Sequence, residues 1–181
     1  MLGVLLSLAS PAAAQVPTPD SHFGFRLGTD RRLATADAIE RYFTLVGSQS
    51  DRVKLIDLGK STDGHNTVAA VVSAPENIKN LDQIRAANAR LSDPRTLQPD
   101  EARRLASTQK VILAIGASIH ASEVGASQAA SELLYTLVTT TDRSLLDVLQ
   151  NVVIVLIPSL NPDGQRLVTE WYAKNKGTIG F

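Results

Sequence analysis

Apolar positions recur at helical spacing over Thr35 to Val46, where Ala38, Ile39, Tyr42, Phe43 and Val46 fall on one face. Two β-rich runs follow, Val53 to Leu58 and Val68 to Val72, parted by Gly59-Lys60-Ser61-Thr62-Asp63-Gly64. The Asp63-Gly64 pair is a turn signal, so these runs predict an antiparallel hairpin. Asn77 to Leu91 and Pro99 to Ala106 are polar, Arg- and Ala-rich stretches that predict helices, with Pro99 suited to a first helical position. The second half changes texture, because Val111 to Ile115 and Val152 to Ile157 are unbroken aliphatic runs. A strand covered on both faces loses its alternation, so both runs predict central strands of a parallel sheet. Helices are expected between them, near Glu123 to Val138 and Ser144 to Gln150, giving a right-handed strand–helix–strand unit. The pattern predicts an α/β fold: an α/β/α sandwich with a mixed, mainly parallel sheet.

Residues 15–30 contain Pro17, Pro19 and two glycines and predict an extended lead-in to one domain over 31–181. Met1 to Ala14 is an apolar stretch broken at Pro11 and ending in Ala12-Ala13-Ala14, which fits an A-x-A cleavage site. It predicts an export signal over 1–14 and a periplasmic or extracellular protein. The basic residues that normally open such a signal are missing, since no Lys or Arg precedes Arg26. The same stretch also reads as an apolar N-terminal helix.

Composition narrows the function. Lys and Arg number 18, Asp and Glu number 18, and the resulting zero net charge argues against a polybasic nucleic-acid or membrane-surface binder. A 44% hydrophobic, 20% charged chain is globular rather than disordered. With no cysteine, disulfides, thiolate metal sites and cysteine nucleophiles are excluded. No run approaches the roughly 18 apolar residues of a membrane span, so no stable membrane anchor is expected.

Ligands of open α/β sheets bind beyond the carboxyl ends of the strands. Two segments leave that edge: Gly116-Ala117-Ser118-Ile119-His120-Ala121-Ser122-Glu123 after the first aliphatic run, and Ser159-Leu160-Asn161-Pro162-Asp163-Gly164 after the second. His120 and Glu123 are three residues apart, so an imidazole and a carboxylate could converge on one cation. Glu123 opens a helix, where the dipole favours an ionised carboxylate. Taken alone, the pair equally reads as a loop histidine and an ordinary helix-start charge, and Asn161-Pro162-Asp163-Gly164 as a tight turn.

Together, Ile119-His120-Ala121-Ser122-Glu123 and Pro158-Ser159-Leu160-Asn161-Pro162-Asp163-Gly164 resemble the zinc carboxypeptidases, the carboxypeptidase A-like metallopeptidases. Leu58-Gly59-Lys60-Ser61 with Asp63-Gly64 is similar to that family's early hairpin, and the likeness runs from about Phe23 to Phe181. The resemblance implies one zinc ion held by His120 and Glu123, an active-site loop containing Asn161, Asp163 and Gly164, and a peptide or peptide-like substrate. It also implies a third ligand, a histidine well after the N-P-D-G turn, and a later general-base glutamate. Only 17 residues follow Gly164 and none is histidine. His65 reads as an exposed turn residue, His22 as part of a flexible lead-in, Arg166, Lys174 and Lys176 as a solvated helix face, and Trp171 and Tyr172 as packing of that helix. The reading therefore expects a truncated N-terminal portion, ending mid-loop at Gly177 to Phe181 with an open sheet edge, that binds zinc poorly and hydrolyses no peptide. Alternatives are an amidohydrolase of the aspartoacylase or deacylase type on the same scaffold, or a non-catalytic peptidase-like binding domain. A serine hydrolase, a P-loop and a dinucleotide site are disfavoured because their glycine and serine motifs are missing.

Overall fold

A computed structural model of the chain describes residues 16–93, 95 and 97–178. The expected export signal lies outside these residues. The described chain runs α1 (Pro19–Phe23), α2 (Ala36–Gln49), β1 (Val53–Lys60), β2 (Asn66–Val72), α3 (Pro75–Lys79), α4 (Leu81–Ser92), α5 (Pro99–Thr108), β3 (Val111–Gly116), α6 (Val124–Thr139), α7 (Arg143–Asn151), β4 (Val152–Ile157) and α8 (Pro162–Asn175). No helix among the described residues is long and apolar enough to cross a membrane.

The helices begin where their sequences supply a cap. Thr35 caps α2 by accepting from the Ala38 amide, and Asp142 caps α7 by accepting from the Leu145 amide. α2 then buries Ile39, Tyr42, Phe43 and Val46, the i, i+3, i+4, i+7 stripe. The stretch expected as one helix from Asn77 is two, α3 and α4, which meet at Asn80.

The four strands form one mixed sheet in the order β1-β2-β4-β3. β1 and β2 are the expected antiparallel hairpin, with Val53 opposite Val72, and β2 pairs antiparallel with β4, with Ala70 opposite Leu156. β3 and β4 run parallel, with Val111 opposite Val152, so one of the three pairings among the described residues is parallel. Alternation along β2 and β4 divides the core. Ala70, Val72, Ile154 and Leu156 face α2 and α6, while Val71 and Val153 face Ile84 of α4. Helices thus cover both faces, the three-layer arrangement the aliphatic runs predict.

Three expectations need correction. The two aliphatic runs are not both central: β4 is flanked on both sides, whereas β3 is an edge strand with Val111 63%, Ile112 46% and Leu113 47% exposed. An unbroken apolar run records the wish to be covered, and does not say that the described residues provide the cover. The lead-in over 15–30 is not merely extended, since it contains α1 and packs Val16, Phe23, Phe25 and Leu27 onto the core. His22 is accordingly not a flexible residue: its Nε2 lies 3.0 Å from the Ala38 carbonyl, and its ring packs on Phe23 and Tyr42.

Candidate metal centre

The loops leaving β3 and β4 are zipped together. The Ala117 amide donates to the Ile157 carbonyl (3.0 Å) and the Leu160 amide to the Ala117 carbonyl (2.8 Å), extending the parallel ladder beyond the strands. The Leu160 side chain seats against Gly116, where a Cβ would lie 2.6 Å from Leu160 Cδ1. The two segments that sequence placed at one sheet edge are therefore in direct contact.

His120 and Glu123 meet on the first loop. His120 Nδ1 lies 2.8 Å from Glu123 Oε1, and the His120 amide donates to Oε2 at 2.9 Å. Glu123 occupies the N-cap of α6, but its carboxylate turns back onto His120 instead of bonding the helix. The His120 amide, and after it the His120 ring, hold the Glu123 carboxyl below the usual carboxylate range, with the Ile119 amide adding a smaller push the same way against a modest desolvation. Both side chains are open to solvent, His120 at 76% and Glu123 at 44%. One nitrogen and one ionised oxygen thus face each other on an accessible surface. A shared tetrahedral ion with bonds near 2.0–2.2 Å would need the donors about 3.4 Å apart, a small opening of the present pair. The donor set fits zinc in kind, and among the described residues no group of three or more His, Cys, Asp or Glu gathers to complete it.

The N-P-D-G segment is a helix start rather than a free turn. Asn161 is the N-cap of α8, its Oδ1 accepting from the Gly164 amide at 2.9 Å, with Pro162 in the first helical turn and Asp163 as its acid. Gly164 backs the metal loop: a Cβ there would sit 2.8 Å from Ala121 Cβ and 2.7 Å from the Asn161 side chain. Asp163 turns its carboxylate to the hairpin turn. Its Oδ1 accepts from the Ser61 hydroxyl at 2.6 Å and its Oδ2 from the Asp63 amide at 3.1 Å. The Ser61 hydroxyl is the chief cause, ahead of the Asp63 amide and the His65 charge, of an Asp163 carboxyl held below its ordinary range against partial desolvation. Ser61 Oγ also accepts from the His65 amide (3.0 Å), so His65 is part of this braced turn. Ser61 belongs to the Leu58-Gly59-Lys60-Ser61 match, but nothing local announces its partner.

Sequence reasoning missed two further features. Ser118, Ser127 and Gln165 form a buried polar chain behind the metal loop. Arg166, expected on a solvated face, is only 15% exposed and pairs with Asp37 and, at 3.8 Å, with Glu40, clamping α8 to α2. Lys174 and Lys176 are exposed as expected, while Trp171 remains 51% exposed.

Comparison with known proteins supplies an independent measure. The chain matches the zinc carboxypeptidase (Peptidase M14) family model over residues 39–179. It is similar in structure to thrombin activatable fibrinolysis inhibitor, at 13% identity and a TM-score of 0.55, over 83% of this chain and 31% of that one. It is also similar to carboxypeptidase A from Helicoverpa armigera, at 15% identity and a TM-score of 0.53, over 88% of this chain and 32% of that one. The chain therefore spans about a third of the length of these solved structures. A search among curated proteins found no match.

Proposed function

This chain belongs to the zinc carboxypeptidase family, and from that premise we propose that it is part of an exported, zinc-dependent metallocarboxypeptidase-like hydrolase acting on peptide or peptide-like substrates. His120 Nδ1 and Glu123 Oε1 are the two metal donors in this reading. The observation that carries it is their 2.8 Å approach on the loop after β3, backed by the N-P-D-G helix start. Zinc bound there would polarise a substrate carbonyl and lower the pKa of a bound water to about 7.

The residues of this chain prepare the donors. The His120 amide keeps Glu123 ionised and orients its carboxylate. Nδ1 can present its lone pair once the ring proton sits on Nε2. Gly164 and Ala121 fix the loop against α8 from below, and Asp163 ties that helix start to the hairpin turn through Ser61. Among the described residues two protein donors come together, where a catalytic zinc site usually has three. We accordingly expect the chain by itself to bind zinc weakly and to leave peptide substrates intact. Export belongs to the same reading and rests on the Met1 to Ala14 pattern.

Zinc titration against a chromophoric chelator tests the assignment. The expected result is weak binding by the wild type that disappears in both His120→Ala and Glu123→Ala. Full zinc uptake by both variants would sink it. N-terminal sequencing of the exported product tests the signal, with a start near Gln15 expected.

A further inference from the structure

Behind the metal loop lies a polar chain in which each residue is buried: Ser118 is 4%, Ser127 0% and Gln165 1% exposed. Ser118 stands in the left-handed region at φ 49°, which a non-glycine residue adopts only where its surroundings hold it. Its hydroxyl lies 2.6 Å from the carbonyl oxygen of Glu123, and Ser127 Oγ lies 2.7 Å from Ser118 Oγ. We propose that Ser118, Ser127 and Gln165 form a one-way buried hydrogen-bond relay that positions the His120–Glu123 loop, acting on the donors through the Glu123 backbone. The link to metal binding rests on the proposed function; the relay itself does not.

Hydrogen inventory sets the direction. A serine hydroxyl has one proton, and a carbonyl has none. Ser118 must therefore donate to Glu123, so Ser127 must donate to Ser118. The Ser127 oxygen is then an acceptor, and its next neighbour has to be a donor. Gln165 presents Oε1 to Ser127 at 3.0 Å, while its Nε2 is buried without a partner. Turning the amide end for end keeps the spacing and places N–H groups on Ser127. Gln165 also helps, with Ser159 and Arg166, to line a cavity of about 20 Å³ between α2 and α8. Ser159 Oγ and Arg166 Nε are buried there without partners, and both are donors. The turn satisfies Ser127 and replaces a third partnerless donor with an acceptor on a residue that lines this cavity, which has room for about one water. The relay begins at Gln165, the neighbour in α8 of the Arg166 that clamps α8 to α2, and ends on the backbone of a proposed metal donor. It joins residues 118, 127 and 165, from three separate elements, and its buried groups have no solvent to substitute for a lost partner.

The test compares three hydroxyl deletions in the full chain. Ser118→Gly keeps the left-handed backbone and removes the hydroxyl, and Ser127→Ala removes the middle of the relay. Ser131→Ala is the control: Ser131 is equally buried on the same helix, but its hydroxyl reaches only the Ser127 carbonyl, at 3.4 Å. Amide hydrogen exchange is read at His120, Glu123 and Ala126, together with the thermal midpoint and the zinc affinity. The expected result is exchange at these amides faster by several-fold to tenfold in Ser118→Gly and Ser127→Ala, unchanged in Ser131→Ala, with zinc affinity falling by a similar factor. Unchanged loop exchange in Ser118→Gly, or an equal effect in Ser131→Ala, overturns the relay. Should Ser127→Ala fail to fold, Ser118→Gly decides alone. Zinc uptake indifferent to His120→Ala would overturn the metal reading, while the exchange measurements would still judge the relay.

Discussion

The contact between the N-P-D-G helix start and the metal loop can be tested with two glycines that differ only in what surrounds them. Gly164 lies in the first turn of α8, where a Cβ would be 2.8 Å from Ala121 Cβ; Gly125 lies in the first turn of α6, with nothing within 4 Å of its Cβ position. In a helix, alanine is favoured over glycine by about 0.5–1 kcal/mol. Gly125→Ala should therefore stabilise the chain by up to about that amount. Gly164→Ala has the same gain, opposed by a clash. Carbon atoms rest comfortably at about 3.5–4.0 Å, so the new methyl would intrude on Ala121 by roughly 0.7 Å or more. Ala121 Cβ has no rotamer through which to retreat, so the backbone of one loop has to yield. Overpacking of this kind costs about 1–3 kcal/mol, and because the helix gain is common to both, Gly164→Ala should be less stable than Gly125→Ala by that whole amount. For a domain of this size each kcal/mol is about 2–4 °C in Tm. Urea unfolding followed by circular dichroism, with equal slopes in both variants, measures the difference. A Gly164→Ala chain as stable as Gly125→Ala would refute the close approach, and with it the idea that the helix start props the metal loop.

Asp163 has a carboxyl pKa depressed chiefly by the Ser61 hydroxyl, so its contribution is present above the unfolded carboxylate value near 3.9 and lost as pH falls through the lower folded value. Asp163→Asn should be less stable than wild type at neutral pH, with the gap closing below about pH 4; a gap independent of pH in acid-unfolding curves would contradict this. Tyr42 is fully buried and donates to the Pro17 carbonyl at 3.0 Å, so Tyr42→Phe should cost about 1 kcal/mol in chemical unfolding. Burial, and then the Glu132 charge, raises the Tyr42 phenol well above its ordinary range. Stability is therefore complete below the unfolded value and falls as pH rises beyond about 10, a component that Tyr42→Phe should lack. A shared alkaline profile would refute it. β3 is an edge of the described sheet and Ile112 on it is 46% exposed, so the wild type is expected to self-associate with rising concentration in sedimentation velocity, and Ile112→Lys to do so less with Tm nearly unchanged. Undiminished association would show that the edge is not the sticking surface.

The elements were legible because their causes are local. The apolar stripe of Ile39, Tyr42, Phe43 and Val46 and the Asp63-Gly64 turn each act within a few residues, and each produced the element expected of it. The candidate site was legible in part for the same reason: His120 and Glu123 are three residues apart, and loop geometry alone brings them together. The N-P-D-G segment reads locally as a turn, yet Asn at an N-cap followed by Pro and an acid is itself a helix-start pattern, and the structure takes the helix.

What the sequence determined by itself is the four strands and the main helices, though not α1 or the break between α3 and α4, together with their α/β alternation and one nitrogen–oxygen pair after a buried-type strand. What only the tertiary structure decided is which of two equally aliphatic strands lies at the centre, and where the polar side chains around the site turn. Asp163 finds Ser61 across 102 residues and Ser127 finds Gln165 across 38. Arg166 leaves the solvent for Asp37 on another helix. Hydrophobic periodicity reports whether a position should be buried, but a hydrogen bond or ion pair depends on the position and direction of two groups. Those are set only when distant segments pack, and so no pattern along the chain carries them.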